Sequence, residues 1–340
     1  MPVMQYRSRT LAALSGLVPE IVYVMCGARG ETGKLPIRGL PQVRYIGFEP
    51  DPTEYERLRR QANPGFQFEN AAVADGASRR TIYVTREPAC SSLLRPNARL
   101  FSRFLDAGPA TEIVREAEVD TVSLDGYLPK VGIANVDFLD LDTQGSELEI
   151  LQGAAGFLSK GVVAVKTEVE FAALYEGQPL FGDIDQYLRA LGFVLFDLSR
   201  SRGRRSVLPQ KVLTRGQLLW GDALYLRDYA WLADRSAKDT ALRLCLVAAH
   251  LGFHDYALEG VDLLLKGSMG TLTPEEVTAL GETREQYLAD LESSTRWLKI
   301  MGALDAVGLG RPFKLAGRLA GQVGQRLVKD KEMTQYNWID

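Results

Sequence analysis

Histidine and cysteine are scarce in this chain: 340 residues carry two of the first and three of the second. Cys26, Cys90 and Cys245 lie far apart, with no CxxC pair and no histidine beside them, so neither a zinc site nor a disulfide framework is indicated. That usage points to a reducing compartment, most simply a cytoplasm. Long apolar runs are missing too. No stretch approaches about 18 uncharged apolar residues, so no membrane span is expected. Residues 1–20 hold Arg7 and Arg9 but lack the continuous apolar segment of a signal peptide. Neither sign of charge dominates, and a formal net charge of −3 gives no reason to expect nucleic acid as a bulk partner. There is no repeat of fixed period and no low-complexity tract.

What is present is the composition of an ordinary globular protein, 46% hydrophobic and 24% charged. From residue 21 to 228, short apolar runs alternate with helical patterns, the signature of βαβ units and a mainly parallel sheet. Strands are expected over 21–26, 45–48, 136–141 and 162–169, with others over 81–85, 193–198 and 223–226. Helices are expected over 52–61, 146–158 and 184–191, the first capped by Asp51 and the third stopped by Gly192. Beyond 228 the strand signals cease. Helices are expected there over 240–250, 256–266, 274–291 and 313–328, the third opening on Thr273-Pro274-Glu275-Glu276. The chain thus reads as a helical lead-in (1–20), an α/β domain (21–228) and an α-helical extension (229–340).

Candidate chemistry sits at the strand ends. The first strand runs into Met25-Cys26-Gly27-Ala28-Arg29-Gly30, where glycines let the backbone approach a ligand and a following helix N-terminus favours an anion. A plain glycine-rich turn accounts for this loop equally well. Glu49 ends the second strand and is placed to accept both hydroxyls of a ribose, whereas Asp51 is better read as the helix cap. Asp75 follows the apolar run 71–74 and suits either an adenine contact or a simple turn. Asp142 falls at the C-terminal end of the strand over 136–141, where open α/β sheets place their ligands. Glu147 and Glu149 suit the dipole of the next helix without any catalytic role. Glu168 and Glu170, two apart on a strand, share one face near Asp142. Such a group deprotonates a substrate hydroxyl, holds a hard divalent cation that acidifies it, or forms a polar strip with no proton transfer.

The motifs GFEPDP (47–52), AVADG (72–76), ACSSLL (89–94), DFLDLDTQGSELEILQGA (137–154), EVEFAALYEGQPLFGDID (168–185) and QLLWGDALY (217–225) occur in that order. Together they resemble the FkbM methyltransferase family over about residues 21–228. The resemblance implies the class I methyltransferase (Rossmann-like) α/β fold, a seven-stranded mainly parallel sheet with one antiparallel strand. It implies S-adenosylmethionine as cofactor, with Gly27, Ala28 and Gly30 around its methionine end, Glu49 on ribose and Asp75 on adenine. It puts Asp142 at the reacting centre, with Glu168 and Glu170 nearby; no metal-ligating residue is assigned, and a divalent cation beside S-adenosylmethionine stays open. Family members are typically O-methyltransferases, so the expected acceptor is a hydroxyl on a glycan, glycolipid or secondary metabolite. One position departs from the pattern. The acid usually found two residues before the first glycine is Met25 here, and a thioether is a poor acceptor for the cofactor's ammonium. Losing such a bond costs about 1.5–3 kcal/mol, or about one to two decades in affinity. Asp140 and Gln144 stand where many relatives have Lys and Glu.

The extension is not covered by the resemblance. Residues 311–329 contain no acid, and Leu315, Leu319, Val323 and Leu327 form a stripe at i, i+4 spacing. That pattern fits a helix docked on its own domain, or peripheral contact with an anionic membrane at its inner face. Two other readings remain: a methyltransferase fold kept as a non-catalytic binding scaffold, suggested by Met25, and an NAD(P)-dependent oxidoreductase, which the lack of a clean GxGxxG disfavours.

Overall fold

A strand covered on both faces has no polar side to show, and β1 (Ile21–Cys26) is buried at all six positions. The computed structural model describes residues 14–29, 35–37, 39–40, 42–105, 107–209 and 212–306, and places β1 mid-sheet. The remaining strands are β2 (Val43–Phe48), β3 (Phe66–Glu69), β4 (Ala72–Val73), β5 (Ser78–Thr85), β6 (Ile113–Val122), β7 (Phe138–Leu141), β8 (Ala164–Glu170), β9 (Phe193–Leu198), β10 (Ser201–Gly203) and β11 (Gln217–Arg227). The main sheet runs β3-β2-β1-β7-β8-β11; its first five strands are parallel and β11 is antiparallel. Both β9 and β10 pair with β11, so the sheet has eight strands, not the expected seven. The edge strand is split at Ser199-Arg200, where the Ser199 carbonyl comes so near the backbone that a Cβ on Gly221 would lie 2.1 Å from it. This order, with its reversal point at β1/β7 and one antiparallel strand, is the class I methyltransferase fold.

A second, three-stranded sheet, β4-β6-β5, was not anticipated. Its longest strand, β6, is mostly half-buried or exposed, so Arg115, Glu116, Glu118 and Asp120 mask its alternation.

The longer helices are α1 (Pro52–Gln61), α2 (Glu147–Gln152), α3 (Phe181–Ala190), α4 (Lys238–Leu251), α5 (His254–Leu265) and α6 (Pro274–Ala306). Asp51 caps α1 as expected, its Oδ1 accepting from Thr53 N at 2.9 Å and Glu54 N at 3.0 Å. The helix expected over 146–158 is interrupted by a turn at Gly153-Ala154, and position 153 requires glycine because a Cβ would lie 2.3 Å from the Ala74 carbonyl oxygen. Thr273 and Glu276 form a reciprocal cap at the start of α6. The helix expected over 313–328, most of the lead-in over 1–20 and the stripe within 311–329 lie outside the described residues.

The two faces of the sheet bury separate cores. Val22, Val24, Leu139, Leu141 and Val165 pack against Ile150, Leu151, Ile184 and Leu188 of α2 and α3. Tyr23, Met25, Tyr45 and Phe138 pack on the opposite side with Leu58 of α1 and with Leu242, Val261, Leu280 and Tyr287 of α4–α6. The described helices of the extension therefore continue the core of the α/β domain. Arg227 seals this junction. Its buried guanidinium donates to the carbonyls of Val162, Leu158 and Leu191 and lies 3.7 Å and 4.1 Å from the Phe193 and Trp231 ring centroids. Among the described residues, no helix is long and apolar enough to cross a membrane.

Candidate functional site

At the C-terminal ends of β1, β2 and β7 the backbones meet so closely that only glycine fits. Gly27 has φ +85°, its N–H and that of Ala28 donate to the Phe48 carbonyl, and a Cβ on it would lie 1.9 Å from the Asp142 carbonyl oxygen. This knot forms the floor of an open cleft of about 880 Å³, partly continuous with solvent. Cys26 and Gly27 line the floor; Phe48, Glu49, Pro50 and Asp51 line one end. Asp142, Thr143, Gln144 and Ser146 line the other. The remaining wall is largely apolar and comes from the small sheet and the segments beside it: Ala71–Val73, Ile82, Val84, Pro88, Ala89 and Leu93, with Ser91 and Ser92.

Glu49 is 3% exposed, and its Oε1 accepts from Asp51 N at 2.9 Å. Arg29 approaches the same oxygen at 3.7 Å and Asp51 Oδ2 at 3.5 Å. Burial raises the Glu49 pKa above the usual carboxylate range, opposed by the Asp51 N–H and by Arg29.

The opposite end holds a hydrogen-bonded acid cluster built around Gln144. This residue adopts the left-handed conformation (φ 63°), as does Gly145 (φ 110°). The turn is held by Glu147, which is buried and accepts from Thr143 N at 2.8 Å and Gly145 N at 2.9 Å. Glu147 is therefore a structural acid that shapes the loop, beyond any interaction with a helix dipole. The turn aims the Gln144 amide between two carboxylates: Nε2 donates to Asp142 Oδ1 at 2.9 Å and to Glu168 Oε2 at 2.6 Å. Its Oε1 lies 3.0 Å from the Tyr175 hydroxyl, and Ser92 Oγ donates to its carbonyl at 2.8 Å.

Asp142 is open to water through the cleft yet ringed by protein, so loss of bulk solvation raises its pKa, while the Gln144 amide and Lys166 pull it back. Glu168 is pushed well above the carboxylate range by burial and then by the Asp142 charge. Gln144 and Lys166 thus favour the charged form of Asp142, while burial and the Asp142 charge favour the protonated form of Glu168. Glu170, which is buried, also has a raised pKa, from burial and then from Glu147.

The structure brings Gly27, Glu49 and Asp142 to one cleft, with Ala28 fully buried directly beneath it. Glu168 stands behind the Gln144 amide, and Glu170 is not among the lining residues. Asp75 is exposed beyond the end of β4 and does not line the cleft. Its Cα packs against Gly153, where an added Cβ would lie 2.9 Å from it. Gly30 lies outside the described residues. Among the described residues, no group of three or more His, Cys, Asp or Glu side chains is arranged for a metal ion. His250 and His254 belong to α4 and α5 and do not line the cleft.

Met25 is 8% exposed and packs in the core under α4–α6. Its register partner on β7 is Asp140. That carboxylate accepts from the Tyr23 hydroxyl and from Lys166 Nζ at 3.1 Å, and Lys166 also pairs with Asp222 at 3.2 Å. Sequence reasoning missed Arg29, Tyr175 and the clamping role of Gln144. Tyr175 sits inside a quoted motif, but only the fold brings it to Gln144, 31 residues away.

Residues 28–195 match the methyltransferase FkbM domain. The chain is similar to the FkbM methyltransferase of Methylobacillus flagellatus KT, with 15% identity, TM-score 0.35 and coverage of 62% of this chain and 44% of that one. This chain therefore spans less than half of that protein's length. It is also similar to the magnesium protoporphyrin IX methyltransferase of Synechocystis PCC 6803, with 10% identity, TM-score 0.30 and coverage of 67% and 80%. No curated protein matches the chain.

Proposed function

Because residues 28–195 of this chain are a methyltransferase FkbM domain, we propose that the protein transfers the methyl group of S-adenosylmethionine to a hydroxyl oxygen of a glycan, glycolipid or secondary metabolite. The observation that carries this reading is the single cleft with Glu49 at one end and the Asp142–Gln144–Glu168 cluster at the other.

The residues present suit such a cofactor. Glu49 is a buried carboxylate able to accept hydrogen bonds from the two hydroxyls of a ribose. The wall of Ala72, Val73, Ile82 and Val84 suits a flat heteroaromatic ring, and the Gly27 knot keeps the floor free of side chains. When bound, S-adenosylmethionine supplies an electrophilic methyl carbon on a sulfonium that departs as a neutral thioether. The protein then has two tasks, alignment and proton removal. Asp142 accepts the acceptor's hydroxyl proton as its oxygen bonds to the methyl carbon. Gln144 holds Asp142 in place and keeps it ionised, and Glu168 stays protonated, so that one negative charge faces the acceptor. Tyr175 fixes the Gln144 rotamer from the other side.

The test is transfer of methyl-tritiated S-adenosylmethionine into a cell extract fractionated into lipids, glycans and small metabolites. The reading predicts label in an alkali-stable methyl ether with the wild type. Asp142→Asn should bind the cofactor and lose about two to four decades of transfer, the usual worth of a positioned base. Label in an amine, or transfer that survives Asp142→Asn, overturns it.

A further inference from the structure

Two segments on one side of the molecule carry cations and no acids. Residues 95–105 contain Arg95, Arg99 and Arg103, and the described residues of 199–216 contain Arg200, Arg202, Arg204, Arg205 and Arg215. With a formal net charge of −3 for the whole chain, these eight cations leave −11 on the remaining residues. The segments are joined. Leu105 N donates to the Arg204 carbonyl at 2.8 Å, Ser206 N donates to the Arg103 carbonyl at 3.0 Å, and the Arg205 guanidinium stacks 4.2 Å from the Phe104 centroid. Arg99 and Arg103 also line a shallow hollow with Asn97, Leu100 and Ala173. Arg95 is matched by Glu116 at 2.8 Å, as several arginines elsewhere on the surface are by neighbouring acids, among them Arg57–Glu54, Arg86–Glu112 and Arg189–Asp185. Here Arg99, Arg103, Arg200 and Arg202 are exposed with no acid in either segment to meet them.

A second observation separates this surface from a merely soluble basic patch. Val207 is 90% exposed, Leu213 97% and Val212 45%, and they account for three of the five large exposed hydrophobics among the described residues. Aliphatic side chains standing in water beside arginines match neither a polar surface nor a nucleic-acid groove, where stacking rings are used. They match the interface of a lipid bilayer, into which aliphatic groups insert while arginines meet anionic headgroups. We propose that this arginine-rich face, with Val207, Val212 and Leu213 at its apolar tip, docks the protein on a bilayer containing anionic lipid. The acidic remainder of the chain turns this face toward such a bilayer before contact. Docking also sets the cleft near the surface. Leu174 and Tyr175 pair with Pro96 and Asn97, one layer from Arg99, and Tyr175 reaches Gln144. The proposal does not depend on the chemistry assigned to the cleft, or on residues 311–329.

The test is sedimentation of the full chain with vesicles of phosphatidylglycerol and phosphatidylcholine, and with phosphatidylcholine alone. The wild type should sediment with the anionic vesicles and be largely released by 0.5 M salt, where the Debye length falls to about 4 Å and headgroup attraction is screened. Arg99→Gln, Arg103→Gln and Arg200→Gln together should weaken partitioning on the order of 100-fold, roughly fivefold per charge. Val207→Asp with Leu213→Asp, both on the surface, should abolish it without changing thermal stability. Equal binding to neutral vesicles, no binding at all, or wild-type binding by either variant set overturns the proposal. So does tight binding to an oligonucleotide that the aspartate pair leaves intact.

Discussion

Replacing Glu49 with glutamine should change ligand affinity and fold stability in opposite directions. Glutamine keeps an oxygen for the Asp51 N–H, now at 2.9 Å from Glu49 Oε1, so the turn into α1 is retained. It loses the charge that makes hydrogen bonds from a ribose strong. A charge-assisted bond is worth about 1.5–3 kcal/mol, which predicts a Kd for S-adenosylmethionine about 10- to 150-fold weaker. Stability moves the other way. The folded pKa of Glu49 is raised, chiefly by burial, so the folded state binds its proton more tightly than the unfolded chain does. The penalty for ionising it is absent below the ordinary carboxylate pKa, grows as pH rises and is complete above the raised folded value. At pH 7 glutamine removes that penalty, and the variant should melt at the same temperature as the wild type or higher. Its stability should also lose part of the decline with rising pH. Paired calorimetric titration and thermal melts at pH 5 and 7 read both effects. Unchanged affinity would refute the ribose assignment, and a lower melting temperature would refute the electrostatic argument.

Gln144→Ala removes the donor shared by Asp142 and Glu168. Since the Gln144 bond is one cause that lowers the Asp142 pKa, the acidic limb of the pH–rate profile should move to higher pH. kcat/KM at pH 7 should fall about 10- to 150-fold, the worth of one charged hydrogen bond, with cofactor affinity little changed. Arg227→Met should cost about 3–5 kcal/mol in urea denaturation, because three buried carbonyls lose their donor at the seam between the sheet and the extension. A loss under about 1 kcal/mol would mean that the seam is held by apolar packing alone.

Much of the frame was legible because buried parallel strands are short apolar runs, and those over 21–26 and 193–198 appear with the expected bounds. The helix over 52–61 was equally plain, since Asp51 and Pro52 mark its start chemically. The small sheet was hidden because β6 faces water along much of its length and carries charges where a core strand would alternate. Gly192 illustrates a partial reading. Its place as a helix stop follows from sequence and its φ of +83° agrees, but its second constraint does not: Trp231 fills the space a Cβ would take, 2.2 Å away.

In the site, Glu49 and Asp142 could be found from strand ends alone. Gln144 could not be assigned its role, because the clamp requires a left-handed backbone and partners on β7, β8 and the loop after β8. The Met25 departure also changes meaning in three dimensions. The side chain is absorbed by a core that includes the extension, and the acid beside it is Asp140, held by Tyr23 and Lys166.

The most direct test of the account is calorimetric titration of the wild-type chain with S-adenosylmethionine. One site per chain with micromolar affinity is expected, despite Met25. A well-folded protein that shows no heat of binding, and gains it in Met25→Asp, would contradict the enzymatic reading and leave a methyltransferase fold retained as a scaffold.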